Sequence, residues 1–558
     1  MFGRRCVLSV VFAGGLGLIC VGTEGAQLAP ERLAAVRSVI TRAVTLSSRL
    51  PLPARHVRSA GTRNLLNLAE RWDQIESQVR RLPPKGLGLA ERALTPHVLA
   101  PGPVSDPSTD VSFSSFSGFT QNETSAARCG SNVVVGFNDT GSFFETAFGS
   151  GGLSIAGVAR STNGGGAYTD LGFLNPGPTV TDLLLGDPAV ACANASTFYY
   201  ASIFLRLATS DISVSKSTDG GATWGDPVSV VGKSNATHFL EKPWMAVDPT
   251  NTTRLYVTYT DFEGTSAACG SQPRTAIELV SSTNAGASWS APVVVREVCG
   301  DASVQGSQVV VGPGGEVYVA WEAFASDFVT REIDIAKSTD NGGSFGSPVK
   351  VDDVTCVGSC GGLGPGDPGL LQGAFRVQEL PSLAVDRSGL ATNGNLYIAW
   401  NDARNLTVLD ALSGTYGYAD VLVSRSTNGG ASWSAPVRVN NNVEPLSSGL
   451  GTDQYQPAIA VDKSGKVETC FYDRRRDPNN FLIERYCAGS TNAGVTWSNT
   501  RVTRKSFAAV PGQDLLVDPA YMGDYDTVAA DFTLLNTGFI TAWGDNSAGN
   551  PDVQAAKQ

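Results

Sequence analysis

Histidine is nearly absent from this chain. Three occur in 558 residues, His56, His97 and His238, and only His238 falls in the repetitive part described below, which weighs against a Ser-His-Asp hydrolase there. No Cys-x-x-Cys pair occurs, so a structural zinc site lacks its usual ligand set. No apolar run reaches the roughly twenty residues of a membrane span. The longest lies in MFGRRCVLSVVFAGGLGLICVGTEGA, where two arginines precede it and small residues follow. That order is a secretory signal, giving residues 1–26 as a signal peptide cleaved between Gly22 and Ala26. A secreted, periplasmic or cell-surface protein without a permanent membrane span is expected.

Basic charge is also scarce where a nucleic-acid partner would need it. Residues 27–103 carry twelve Lys/Arg against five Asp/Glu, yet the whole chain has a net charge of −11. The long remainder is therefore strongly acidic and repels phosphate backbones, whose neutralisation supplies most nucleic-acid affinity. Without Cys6 and Cys20, eight cysteines remain, an even number that reads as disulfides in an exported chain. Cys470 and Cys487 flank the loop DRRRDPNNF on what read as antiparallel neighbours, within bridging distance. Cys356 and Cys360 can close a small loop. Cys129 with Cys192 and Cys269 with Cys299 are the pairs left over.

Six nonapeptides repeat one pattern: RSTNGGGAY from Arg160, KSTDGGATW from Lys216, SSTNAGASW from Ser281, KSTDNGGSF from Lys337, RSTNGGASW from Arg425 and GSTNAGVTW from Gly489. Asn163, Asp219, Asn284, Asp340, Asn428 and Asn492 each precede an aromatic residue by five positions. A short Asx side chain closes a turn by accepting from backbone amides, glycine supplies the positive φ, and the ring plugs the next strand. Asp and Asn alternate freely, which a turn tolerates and proton transfer does not. The repeats are structural. Their spacing of 56 to 88 residues matches the blades of a β-propeller, with CVGSCGGLGPGDPGLLQG inserted in the longest gap.

The S-x-D/N-x-G-x-x-aromatic pattern resembles the Asp-box, or BNR repeat, of the sialidase superfamily of propellers. The resemblance covers residues 110–558 and implies an all-β, sialidase-like fold. Asp-boxes also occur in propellers that bind without catalysing. Counting first strand pairs, which start near Glu123, Asp187, Lys242, Gln305, Glu379, Tyr455 and Asp524, gives seven blades; the sialidases themselves have six, which is the alternative. The last repeat holds only three strands, and DVSFSSFSGF is expected to supply the fourth.

Each box lies between the third and fourth strands of its repeat, so first-strand starts and second-strand ends meet on the opposite face. That face gathers carboxylates and arginines. Paired carboxylates suit glycoside cleavage, and arginine forks suit an anionic group. The sialidase resemblance implies three arginines on the sugar carboxylate, a tyrosine nucleophile activated by Glu, and an Asp acid/base. Tyr525 is the candidate nucleophile, Glu379 and Asp402 the flanking carboxylates, and Arg404 and Arg474 the anion clamp. A buried arginine pair would favour ionised carboxylates and a lowered tyrosine pKa. The family's early Arg-Ile-Pro motif is missing, since the first repeat reads GFTQNETSAA, and FRVQELP from Phe375 is a loose echo in another blade. No cofactor is required, although axial carboxylates can hold Ca²⁺.

Two functions stay open: a secreted sialidase-type glycoside hydrolase acting on anionic or related glycans, and a non-catalytic propeller binding glycan or protein at the cell surface. Ahead of the propeller, residues 27–82 show helical periodicity in ERLAAVRSVITRAVTLSSRL and TRNLLNLAERWDQIESQVRRL. A Pro-rich linker, 83–109, follows. Oligomeric state is not legible.

Overall fold

In the computed structural model the described residues are 34, 37, 38, 41, 45, 70–73, 97, 98, 102–105, 111–113, 116–118, 120–147, 151–327, 329–360, 369–410, 414–509, 522–548 and 551–558. The expected signal peptide lies outside them, as does most of the 27–82 segment. Positions 34, 37, 38, 41, 45 and 70–73 are helical. Trp72, 4% exposed, belongs to the apolar cluster that contains Phe143, Leu153 and Leu183. No helix among the described residues is long and apolar enough to cross a membrane.

The chain is all-β apart from short helical pieces. Among the described residues, seven of the nine sheets are built mainly of antiparallel strands in one layout, and each of the seven begins with a strand that neighbours the first strand of the next. These strands are Gln121–Cys129, Ala189–Cys192, His238–Val247, Ser303–Val311, Ser382–Val385, Gln454–Val461 and Thr527–Ala530, and the seventh packs back against the first. They surround an axial channel. Four are stitched to the next sheet by one device, a side chain that meets a neighbouring backbone amide. Val190 N–H donates to Ser125 Oγ (2.9 Å), Leu383 N–H to Gln308 Oε1 (2.8 Å), Ile459 N–H to Ser382 Oγ (3.1 Å) and Ala126 N–H to Thr527 Oγ1 (3.3 Å). Valine, isoleucine and aromatic residues fill the spaces between sheets, as in the cluster of Tyr256, Leu279, Val309, Val319 and Trp321.

The six nonapeptides make one turn. In each, the serine hydroxyl donates to the Asx oxygen two residues on and accepts the amide of the glycine four residues on. For Ser217 these bonds reach Asp219 Oδ1 at 2.8 Å and Gly221 N–H at 2.9 Å. Asp219 Oδ1 also accepts the amides of Ala222 and Thr223. Gly221 has φ 85°, where a side chain would be strained. Asn284, Asn428 and Asn492 accept the same i+4 amide at 2.9–3.0 Å.

The last sheet, Thr527–Ala530, Phe539–Asp545 and Asp552–Lys557, is completed differently from expectation. Residues 102–105 lie along its open edge: Val104 N–H donates to Val553 O at 2.9 Å and Ala555 N–H to Gly102 O at 2.7 Å. DVSFSSFSGF instead folds on itself as the hairpin Val111–Phe113 and Phe116–Gly118. His97–Val98 pairs with Thr169–Phe173 of the first sheet. Parts of the expected linker are thus built into sheets; Pro101, Gly102 and Pro103 give no alternation to read.

All four cysteine pairs lie at disulfide distance: Cys129–Cys192, Cys269–Cys299, Cys356–Cys360 and Cys470–Cys487. Cys470 and Cys487 are direct cross-strand partners.

Candidate functional site

First strands begin on the face opposite the boxes, and several begin with a β-bulge. Register shifts fall between Asn122 and Ser125, Glu241 and Trp244, Gln305 and Gln308, and Tyr455 and Ala458. Within these bulges Glu123 (φ 52°), Lys242 (φ 54°), Gly306 (φ 68°) and Gln456 (φ 50°) adopt left-handed backbone, as does Asp187 (φ 52°) ahead of the second sheet's strand. For a residue with a Cβ this costs on the order of 1–2 kcal/mol. Pro188, Pro243 and Pro457 follow directly and have no N–H to strand unpaired. The bulges re-aim their side chains toward the axis.

An axial chamber of charge results. The Lys242 ammonium lies 3.0 Å from the centroid of the Tyr525 ring. Burial lowers the Lys242 pKa to about 8 against the opposing pull of Glu123, Asp187, Asp524 and Glu241. Glu123 accepts from Asn138 Nδ2 at 2.8 Å and from the Asp524 amide at 3.1 Å. Glu241 accepts from Gln305 Nε2 at 3.0 Å. Asp524 is held by Arg376 at 2.6 Å, both side chains fully buried.

Strand pairing of the inserted segments roofs part of this face. Gly358–Ser359, Gly369–Leu371 and Phe375–Val377 join Thr407–Asp410 and Gly414–Gly417 in one extra sheet. Its Leu371, Phe375 and Tyr416, with the adjoining Val357, pack with Tyr455, Tyr472 and Trp543 at the strand ends below. The helix Thr140–Ala147 lies on the same face, where Asp139 Oδ1 accepts the Gly141 amide at 2.9 Å.

The expected site residues fall into separate places. Tyr525 is in the chamber, its hydroxyl donating to Pro188 O at 3.3 Å and its ring edge-on to Trp244. Glu379 lies buried between the fourth and fifth sheets, where Arg331 binds it at 2.6 Å and the Val357 amide at 2.9 Å. Asp402 is buried and takes the Trp400 indole N–H (3.1 Å), the Thr355 amide (3.2 Å) and the Arg404 fork (2.7 and 3.0 Å). Arg404 also bonds Asp352, and it sits at the rim. Arg474 is fully buried, with Asn480 O at 2.7 Å, Asp453 at 3.6 Å and the rings of Phe375 and Tyr455 above it. Among the described residues, no hydrogen bond, ion pair or ring contact joins Tyr525 to any of these four.

The expected fall in the tyrosine pKa is reversed. Burial, then the negative charges of Glu123 and Asp187, push the Tyr525 pKa well up. Glu379 is likewise raised by burial, against the pull of Arg331. Beside it Glu322 is fully buried, its two oxygens have no hydrogen-bond partner among the described residues, and burial with the Glu379 charge pushes its pKa well up.

Several residues of this face were passed over or given no role by sequence reasoning. Lys242 and Asp187 read in the sequence only as strand starts; their bulge geometry has no composition signature. Arg376 stands in FRVQELP, which the sequence alone marks only as a loose echo of the Arg-Ile-Pro motif. A second charged cluster lies off-axis between the second and third sheets: Tyr259 donates to Glu278 at 2.8 Å, and Arg274 and the second sheet's Lys233 bind both Glu278 and Asp261. His238 Nδ1 lies 3.0 Å from Asp261 Oδ1, while Arg274 and Lys233 both bind Asp261 Oδ2.

No protein-family model matches this chain, and no curated protein matches it in sequence. Solved structures similar to it include a Hadza microbial sialidase, at 14% identity and TM-score 0.42 over 73% of this chain and 74% of that one. A GH93 α-L-arabinofuranosidase of Fusarium graminearum is similar at 13% identity and TM-score 0.39, covering 66% and 92%. A Penicillium chrysogenum α-L-arabinanase is similar at 11% identity and TM-score 0.40, covering 68% and 94%.

Proposed function

We propose that the chain is an exported glycoside hydrolase on a seven-bladed Asp-box propeller, with its site in the axial chamber around Lys242 and Tyr525. The observation that carries this reading is the set of carboxylates, Glu123, Asp187, Glu241 and Asp524, gathered about one lysine on strained backbone. Glycoside cleavage needs one carboxyl protonated and one ionised. Burial favours the protonated form, and the Lys242 ammonium favours the ionised form of whichever carboxylate it faces. The same lysine supplies the cationic charge that a Ca²⁺ ion would otherwise bring. Four disulfide pairs fit an oxidising, non-cytoplasmic compartment.

Charge narrows the substrate. Arg376, Arg474 and Arg485 are each fully buried against an aspartate, which leaves them poorly placed to clamp a sugar carboxylate. Four carboxylates against Lys242 and Arg376 make the chamber electronegative, so a neutral glycan fits it better than a sialoside. A tyrosine nucleophile would have to shed its proton against those charges; the carboxylate route does not ask that.

A panel of neutral and anionic aryl glycosides and oligosaccharides, offered to the purified mature chain, tests the proposal. Turnover of a neutral glycan, lost in Glu123→Gln or Asp187→Asn and retained in Tyr525→Phe, supports it. Turnover of sialosides that Tyr525→Phe abolishes would restore the sialidase mechanism. A second reading rests on burial: Glu123, Lys242 and Asp524 are each at most 3% exposed. Saturable glycan binding without turnover selects that reading, a binding propeller.

A further inference from the structure

The axial channel continues from beneath the chamber to the box-turn face, and there it changes character. Its cavity of about 220 Å³ is walled by the later residues of all seven first strands, among them Ala126, Val190, Val309, Ala384, Ala460 and Ala529. Small and β-branched apolar side chains make up most of the wall, with Ser125, Trp244, Gln308 and Ser382 at its chamber end. At the box-face mouth stand Arg387, in the turn after the fifth sheet's first strand, and Phe532, in the equivalent turn of the seventh. The guanidinium carbon of Arg387 lies 4.7 Å from the Phe532 ring centroid.

Arg387 differs from the other channel and chamber cations. Arg387 is half-buried; among the described residues it makes no hydrogen bond and no ion pair, and partial desolvation at the channel mouth lowers its pKa to about 10. Arg128, the other arginine in the wall, is satisfied by the carbonyls of Gly130 and Gly538. The acid at the inner end, Asp526, is paired with Arg485 at 3.1 Å. A cation at the mouth of an apolar tube, held only by a ring face, is complementary to an anion that carries an apolar tail.

We propose that this channel binds a small amphiphilic monoanion, a medium-chain carboxylate, with its head group on Arg387 and its hydrocarbon along the alanine and valine wall. The cavity is smaller than the usual drug-sized site, which limits the tail to a single short chain. The wall buries the tail by the ordinary hydrophobic effect. The guanidinium fork gives two parallel hydrogen bonds to the carboxylate in a partly desolvated mouth, where such bonds are stronger than in bulk water. This site is independent of the glycan reading, because it shares no residue with Glu123, Asp187, Lys242 or Tyr525.

Titration calorimetry on the whole folded chain with sodium octanoate, octan-1-ol and sodium acetate tests the proposal. Octanoate should give saturable one-to-one binding, octanol at least about tenfold weaker binding, and acetate none within the same range. Arg387→Gln should weaken octanoate at least about tenfold and leave octanol unchanged. Ala460→Phe, which fills the tube, should abolish both. If Ala460→Phe does not fold by circular dichroism, Arg387→Gln decides alone, since removing Arg387 strands no partner. Absence of saturable octanoate binding, or equal affinity in Arg387→Gln, overturns the site.

Discussion

The ammonium of Lys242 rests on the face of Tyr525, 3.0 Å from the ring centroid, while Glu123, Asp187 and Asp524 act on both residues. One cation thus moderates a cluster of acids that burial would otherwise leave mutually repelling. Its own desolvation is the larger effect, which is why its pKa falls to about 8 rather than rising.

That lysine makes stability depend on pH. Its pKa is about 8 folded and 10.5 unfolded, so between these values the unfolded chain holds a proton that the native chain has released. Stability therefore rises with pH through this window. Relative to Lys242→Met, wild type should gain on the order of 2 kcal/mol between pH 7.5 and 9.5, read from urea midpoints. Parallel curves for the two proteins would refute the assigned shift.

Glu322 should act in the opposite sense. Its folded pKa is pushed well above the ordinary 4.5 by burial and the Glu379 charge, so the native chain keeps a proton that the unfolded chain loses. Its contribution is present below pH 4.5 and fades as pH rises. Glu322→Gln should therefore match wild type near pH 4.5 and exceed it increasingly from pH 5 to 7. A constant offset across that range would mean that Glu322 is ionised in the fold.

How far the sequence was legible follows from where each signal lies. The box turns are local: serine, Asx, glycine and ring all act within nine residues, so Ser217, Asp219, Gly221 and Trp224 declare the turn on their own. Cys470 and Cys487 were likewise separated by one hairpin. The extra sheet was not legible, because Gly358–Ser359 pairs with Gly414–Gly417 some sixty residues away, and no short-range pattern encodes that pairing. Nor was the bulge that aims Lys242 at Tyr525; Lys-Pro in a strand looks like an edge, not an axis. Arginine and aspartate at strand ends were visible, but whether Arg474 meets substrate or Asp453 depends on a register that only the fold supplies.

The boxes permit a direct test of their structural role. Burial alone would raise the Asp219 pKa, but hydrogen bonds from Thr223, Ser217 and Ala222 outweigh it and hold it near 2. Most copies carry asparagine and make the same amide bonds, so Asp219→Asn should cost only a few tenths of a kcal/mol at neutral pH. Asp219→Ala should cost about 1 kcal/mol, as for a lost helix cap. Equal losses for the two variants would show that charge, not the turn bond, is what Asp219 provides.

Arg474 separates a substrate clamp from a structural ion pair. Its Nη1 donates to Asn480 O at 2.7 Å, its guanidinium covers Phe375 and Tyr455, and Asp453 lies 3.6 Å away. Asp453 also takes the Tyr416 hydroxyl and Asn480 Nδ2, each at 2.6 Å. Removing the cation leaves a buried carboxylate whose pKa burial already raises. Breaking one side of such a pair costs roughly 3–5 kcal/mol, so Arg474→Met should unfold at markedly lower urea. Arg474→Lys, which keeps the charge and loses the planar stack, should fall between the two. Activity or glycan affinity per folded molecule should be unchanged in Arg474→Lys. If Arg474→Lys instead raises KM for an anionic glycan without moving the urea midpoint, Arg474 contacts substrate and the structural reading fails.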